Sequence, residues 1–115
     1  MYRIEHYVSE DRSRDLFLDW LSNLRDRRIQ VAIIRRIGRL EQGSFGDHRY
    51  CREGVWELRI DLGPGYRVYY GLSGQRVVLL LGGGMKRSQT KDIEERAVIH
   101  WRRWMQRGKD AKQTS

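Results

Sequence analysis

The stretch from Trp56 to Gly84 constrains the fold more than any other part of the sequence. Trp56, Leu58, Ile60 and Leu62 alternate with Glu57, Arg59 and Asp61. Side chains point to opposite sides along a strand, so this spacing predicts a strand with one buried and one solvated face. Gly63-Pro64-Gly65 follows and reads as a turn, since proline presets one dihedral and glycine tolerates left-handed ones. Tyr66, Val68 and Tyr70 then alternate with Arg67 and Tyr69. A short Gly71 to Gln75 link leads into Val77 to Leu81, apolar on both faces as an interior strand would be, and into Gly82-Gly83-Gly84. Three consecutive antiparallel strands are predicted, with Arg59 and Arg67 on the polar faces of neighbours.

The flanking segments supply the layers that such a sheet needs. Tyr2 to Val8 alternates imperfectly and reads as an N-terminal edge strand. Ser9 or Asp11 is a candidate cap for a helix over Arg12 to Leu24, whose Leu16, Phe17, Trp20, Leu21 and Leu24 form one apolar stripe. A second helix is expected from Asp26 to Gly43, with Ile29, Ala32, Ile33, Ile37 and Leu40 inward and Arg27, Arg28, Arg35, Arg36 and Arg39 outward. Helices this short need tertiary packing, so the two form a hairpin against the sheet. Ser44 to Arg49 reads as a loop, Tyr50 to Arg52 as a short strand and Glu53-Gly54 as a turn. After a basic loop from Met85 to Gln89, Thr90 is placed as the cap of a last helix. Ile93, Ala97, Trp101 and Trp104 form its stripe, and Gly108 its end. The order β-α-α-β-β-β-β-α gives an α+β fold with a mostly antiparallel sheet of four to five strands. Residues 1–108 form a single domain, and 109–115 are expected to be a polar, disordered tail.

Charge and cysteine content narrow the partners. Lys and Arg number 23 against 15 Asp and Glu, a formal net charge of +8, which calls for an acidic partner such as nucleic acid. The lone Cys51 rules out an intrachain disulfide, disfavours a cysteine metal site and suits a reducing compartment. No apolar run is long enough to span a membrane, and Met1 to His6 has no signal-peptide core, so a cytoplasmic protein is expected.

Arg59, Arg67, Lys86 and Arg87 are the phosphate-binding candidates. Arginine clamps phosphate through a planar fork, and all four residues fall on or just after the polar sheet face. The basic faces of the second helix (Arg35, Arg36, Arg39) and of the last (Arg102, Arg103) match the distributed field that nucleic-acid phosphates attract. Gly82-Gly83-Gly84 is not a phosphate loop, because the Gly-Lys-Ser/Thr ending is missing.

The run Gly54-Val55-Trp56-Glu57-Leu58-Arg59-Ile60, followed by Gly63-Pro64-Gly65-Tyr66-Arg67-Val68-Tyr69-Tyr70, resembles the RelE/ParE superfamily of bacterial toxins. So does Leu80 to Ile93, with its glycines, Lys86, Ser88, Gln89 and the Asp92-Ile93 pair opening a helix. The branch it is most similar to comprises the addiction-module killer proteins related to HigB-type and phage Gp49-like toxins. The resemblance implies a RelE-like fold and a type II toxin–antitoxin pair. It implies a helix-turn-helix antitoxin bound in a hetero-oligomer, with the ribosome and mRNA as target and neither metal nor cofactor. The activity it implies is ribosome-dependent mRNA cleavage that inhibits translation. A gyrase-inhibiting toxin and an inactive antitoxin-binding module are the alternatives. Carried onto this sequence, the basic catalytic role falls to Arg59, Arg67 and Lys86. The histidine or tyrosine that many relatives place after the last strand is missing from Leu81 to Met85, which leaves Glu57 and Tyr69 as proton-transfer or base-stacking candidates. His6 and His48 stand at the rim as further candidates; His48 and His100 otherwise read as bystanders.

Overall fold

The computed structural model describes residues 1–88 and 90–114, with side chains as far as Gly108. The elements are β1 (Arg3–His6), α1 (Leu16–Ser22), α2 (Arg27–Glu41), β2 (His48–Arg52), β3 (Val55–Ile60), β4 (Tyr66–Ser73), β5 (Val77–Met85) and α3 (Thr90–Thr114). They form an α+β fold around a five-stranded sheet in the order β1-β5-β4-β3-β2. β2 through β5 are antiparallel neighbours, and β1 lies parallel to β5 at the edge.

The alternation read from the sequence builds two cores. Leu58, Ile60, Val68, Tyr70, Val78 and Leu80 turn to one face, where Phe17 and Leu21 of α1 and Ile33, Ile37 and Leu40 of α2 cover them. Val55, Tyr69, Leu79 and Leu81 turn to the other, where Ala97, Val98 and Trp101 of α3 pack on them. The helical hairpin and the last helix thus sandwich the sheet. The face expected to stay solvated is covered over half its length, and Glu57 on it is 1% exposed. Leu62, expected to be buried, lies past the end of β3 and is 45% exposed.

Several boundaries differ from the sequence expectation, each for a local reason. The first helix begins at Leu16 rather than Arg12, because Asp15 is its cap: one carboxylate oxygen accepts the Leu18 amide at 3.0 Å. Ser9 and Asp11 build a separate turn. Asp11 accepts from the Ser9 and Ser13 hydroxyls at 2.7 Å each, and these bonds, that of Ser9 first, hold its carboxyl down at about 2. Arg12 within that turn has φ +60°, which no right-handed helix admits. The link after Gly71 is shorter than expected, since β4 continues to Ser73. The glycines 82–84 are strand residues of β5, with the register shifted by a bulge at Tyr69/Tyr70. Gly108 does not end α3, which continues to Thr114. The helix starts at Thr90 itself, so the cap position falls on Gln89, outside the described residues, as do the side chains of the expected polar tail.

Glycine decides how closely α3 approaches. A Cβ on Gly71 would stand 2.2 Å from Trp101 Cε3, and one on Gly54 2.4 Å from Trp101 Nε1. The indole therefore rests on bare backbone. Gly71→Ala is expected to force Trp101 out of its seat and to cost about 1–3 kcal/mol, the usual range for overpacking. Urea unfolding would measure it; a midpoint equal to the parent's would show that Trp101 does not fix α3 to the sheet.

Candidate functional site: a cation cleft around a buried carboxylate

The site grows from strand register. Arg59 on β3 stands directly opposite Arg67 on β4, and Arg49 on β2 and Tyr69 on β4 flank Glu57. Two arginines facing each other across antiparallel strands repel. The buried Glu57 carboxylate offsets that repulsion. Its Oε1 accepts from Arg49 Nε and Arg59 Nε at 3.0 Å each, and its Oε2 lies 3.5 Å from Arg67 Nη1. One carboxylate thus organises guanidinium groups from three adjacent strands. The Arg49 and Arg59 side chains are about half exposed, so their outer faces remain open to a ligand.

Beside this cluster lies a cleft of about 270 Å³ lined by Arg59, Arg67 and Lys86, together with Asp47 and Asp61. Lys86 arrives there because its amide donates to the Gly65 carbonyl at 3.0 Å, tying the end of β5 to the glycine-proline turn. Gly65 has φ +86°, and a Cβ on it would come within 3.2 Å of the Lys86 stem. The turn sequence and the position of Lys86 are therefore one feature. Neither Asp47 nor Asp61 makes a side-chain ion pair among the described residues.

Of the candidates named from the sequence, Arg59, Arg67, Lys86 and Glu57 come together here. Glu57 cannot serve as an open base, since guanidinium groups occupy both of its oxygens. Tyr69 is buried and its side chain bonds to Arg67; burial first, then the Glu57 charge, raises its pKa. Its ring is therefore not free to stack on a nucleobase. Arg87 is exposed in the turn after β5 and makes no ion pair among the described residues. Arg35 and Arg39 are exposed on α2. Arg36, placed with them by helical periodicity, turns inward instead. It donates to the carbonyls of Arg59 at 3.1 Å, Phe45 at 3.0 Å and Asp47 at 3.3 Å, holding the loop before β2 against β3. On α3, Arg102 pairs with Glu53, and Arg103 with Glu10 at 3.2 Å.

The histidines lie elsewhere. His6 Nδ1 meets Asp15 at 2.6 Å, and His48 bonds the Tyr70 hydroxyl at 2.8 Å while stacking on Trp56. Neither lines the cleft. Burial first, then Glu57, pushes the Cys51 thiol up to about 12, which keeps it protonated and a poor nucleophile at neutral pH. Among the described residues no cluster of three His, Cys, Asp or Glu could hold a metal ion, and no helix is long and apolar enough to cross a membrane.

Sequence reasoning missed Arg49, Asp47 and Asp61 as parts of the site. The signal for Arg49 was the pairing of β2 with β3, which sets it opposite Glu57. The aspartates carried no signal beyond lying at strand ends.

No protein-family model matches the sequence. A protein of Haemophilus influenzae described as uncharacterized is 45% identical over 83 residues, which cover 72% of this chain and 84% of that protein. On that identity and coverage, the chain belongs to one family with the Haemophilus influenzae protein.

Proposed function

We propose that this protein is the toxin of a type II toxin–antitoxin pair, of the RelE/ParE kind that its sequence resembles, and that it cleaves mRNA on the ribosome without a metal. The observation that carries the reading is the convergence of Arg59, Arg67 and Lys86 on one cleft, with Glu57 buried behind them. Fixed guanidinium groups match the non-bridging oxygens of a phosphodiester, and they stabilise charge that grows on it. In the reaction the ribose 2′-oxygen forms a bond to phosphorus as the bond to the 5′-oxygen breaks. Asp47 and Asp61 are the cleft carboxylates able to take the 2′-hydroxyl proton, and the Lys86 ammonium can donate one to the departing 5′-oxygen. Glu57 acts as a positioning residue. The exposed Arg35, Arg39 and Arg87 supply sequence-independent attraction to ribosomal RNA. A cytoplasmic site of action and a helix-turn-helix antitoxin, bound in a hetero-oligomer, go with this reading.

The test is translation of a defined mRNA in a cell-free bacterial system with purified protein, followed by primer extension. New 5′ ends inside codons are expected only while ribosomes translate, with naked RNA uncut. Intact mRNA with translation running would sink the reading. One observation favours a second reading: no histidine lines the cleft and Tyr69 is buried, so a toxin that inhibits gyrase by binding, with no proton to transfer, fits the same surface. Loss of gyrase supercoiling with mRNA intact would establish that alternative.

A further inference from the structure

A second cleft opens at the other end of β4 from the cation cleft. It has a volume of about 920 Å³ and runs between β1 and the second half of α3. The two clefts have no lining residue in common. Ser73, on the wall of this one, ends β4, whereas Arg67 lies near the start of that strand, so about 20 Å of strand separates them. Trp104 and Met105 of α3 give the cleft an apolar wall. Trp104 is held from behind by Trp101, the two rings stacked with centroids 5.6 Å apart.

The charge along this cleft is not balanced. Arg3, Arg12 and Arg107 line it against one carboxylate, Glu5, which already takes Arg3 at 3.4 Å. Three guanidinium groups against one carboxylate leave an excess of two positive charges. Neither Arg12 nor Arg107 has a carboxylate partner among the described residues. Arg107 is nonetheless fixed in place. It donates to the Val8 carbonyl at 2.9 Å and to the Tyr7 hydroxyl at 3.3 Å, and its guanidinium lies over the Tyr7 ring, 4.8 Å from the centroid. These bonds use two of its five N–H groups. Arg12 reaches the cleft from a turn with φ +60°. Its amide donates to the Ser9 carbonyl at 2.8 Å, and the Asp11 bonds close the turn around it. Glycine or asparagine takes that conformation with less strain, and strain held at one residue points to a role for its side chain.

We propose that this cleft is a second anion site and that it takes a diphosphate group, held by Arg12, Arg107 and the Ser73 hydroxyl. Guanidinium forks match phosphate oxygens, and a charge excess of two calls for more than a singly charged ion. The volume is in the range of small-molecule sites and far larger than one phosphate group needs. Free pyrophosphate and a nucleoside diphosphate share this chemistry, and the second adds a base for which Trp104 and Met105 are the apolar contact. The site stands apart from the function proposed above, which uses none of its residues.

Isothermal titration of the full chain with pyrophosphate tests this, at physiological salt so that scattered surface charge is screened. Pyrophosphate is expected to bind about tenfold tighter than orthophosphate, since a second phosphate adds charge-assisted bonds. Arg67→Ala disables the cation cleft, and the binding that persists in it belongs to this site. In that background Arg12→Gly suits the left-handed turn and so keeps the fold, and it should weaken binding about tenfold, the worth of one charge-assisted hydrogen bond. Arg107→Gln should do the same, whereas Arg39→Ala, on an exposed helix face, should leave binding unchanged. No pyrophosphate binding in Arg67→Ala, or binding there that neither Arg12→Gly nor Arg107→Gln weakens, would overturn the proposal. So would an equal loss in Arg39→Ala, the mark of attraction to net charge alone. Adenosine diphosphate distinguishes the two sources. Binding tighter than that of pyrophosphate, with the gain lost in Trp104→Leu, identifies a nucleotide; equal or weaker binding identifies the free diphosphate.

Discussion

Arg67→Ala is expected to cut ribosome-dependent mRNA cleavage about a hundredfold, the loss typical of removing one fixed donor from a developing anion. Arg67 is the least exposed cation of the cluster, at 19% for its side chain, so its charge is the least screened by water. The variant should still fold. Glu57 keeps its two 3.0 Å bonds to Arg49 and Arg59, both on Oε1, and only Oε2 loses its longer 3.5 Å contact. The Tyr69 side chain loses its Arg67 partner, which costs about 1 kcal/mol of stability. Arg67→Lys restores a point charge without the fork and should recover only part of the activity. Arg39→Ala, on an exposed helix face, should stay within about twofold, because it removes a single solvated charge. The cell-free cleavage assay measures all three, with urea unfolding as the control for folding. Full activity in a folded Arg67→Ala protein would remove the cleft from the chemistry.

What could be read from the sequence follows the range of the interactions involved. The strands from Val55 to Leu81 were legible because alternation is local, and Gly63-Pro64-Gly65 left one way to connect two of them. The α2 stripe was legible for the same reason. The start of α1 was not. Ser9, Asp11 and Asp15 are all competent caps, and the choice rests on a left-handed Arg12 and on a bridge between Val8 and Asp15. Arg36 was misplaced because periodicity assigns it to the solvent side, while three carbonyls brought near by the β2 loop draw it inward. The burial of Glu57 was hidden for a related reason. Along β3 it looks like its polar neighbours, and only the register across β2 and β4 reveals three guanidinium groups meeting on it. Arg59, Arg67 and Lys86 could be found as cations on strands. The carboxylate that gathers the arginines had to be seen in three dimensions.

The Glu57 carboxylate also governs the largest expected change in stability. Glu57→Ala should destabilise the protein by about 3 kcal/mol, the low end for removing one partner of a buried ion pair. The low end applies because Arg49 and Arg59 are about half exposed and can turn to water, whereas Arg67 cannot readily do so. Without Glu57, Arg59 and Arg67 face each other across the strands with no counter-charge. The penalty belongs mostly to the arginines left behind. Replacing Glu57 and Arg67 together by methionine should therefore recover a large part of it, and a double-mutant cycle should give a coupling of about 1–3 kcal/mol. Urea unfolding followed by tryptophan fluorescence reads the cycle. A coupling near zero would mean that Glu57 is merely a buried acceptor with no organising role. Glu57→Gln keeps the shape and removes the charge, which separates folding from function. RNA affinity should hold or rise as the cleft gains one net positive charge, while cleavage falls because the guanidinium groups lose the anchor that orients them. Binding and cleavage moving in opposite directions is the signature of a residue that positions its neighbours. Affinity and rate falling together would instead mark Glu57 as a group whose loss disrupts the whole site.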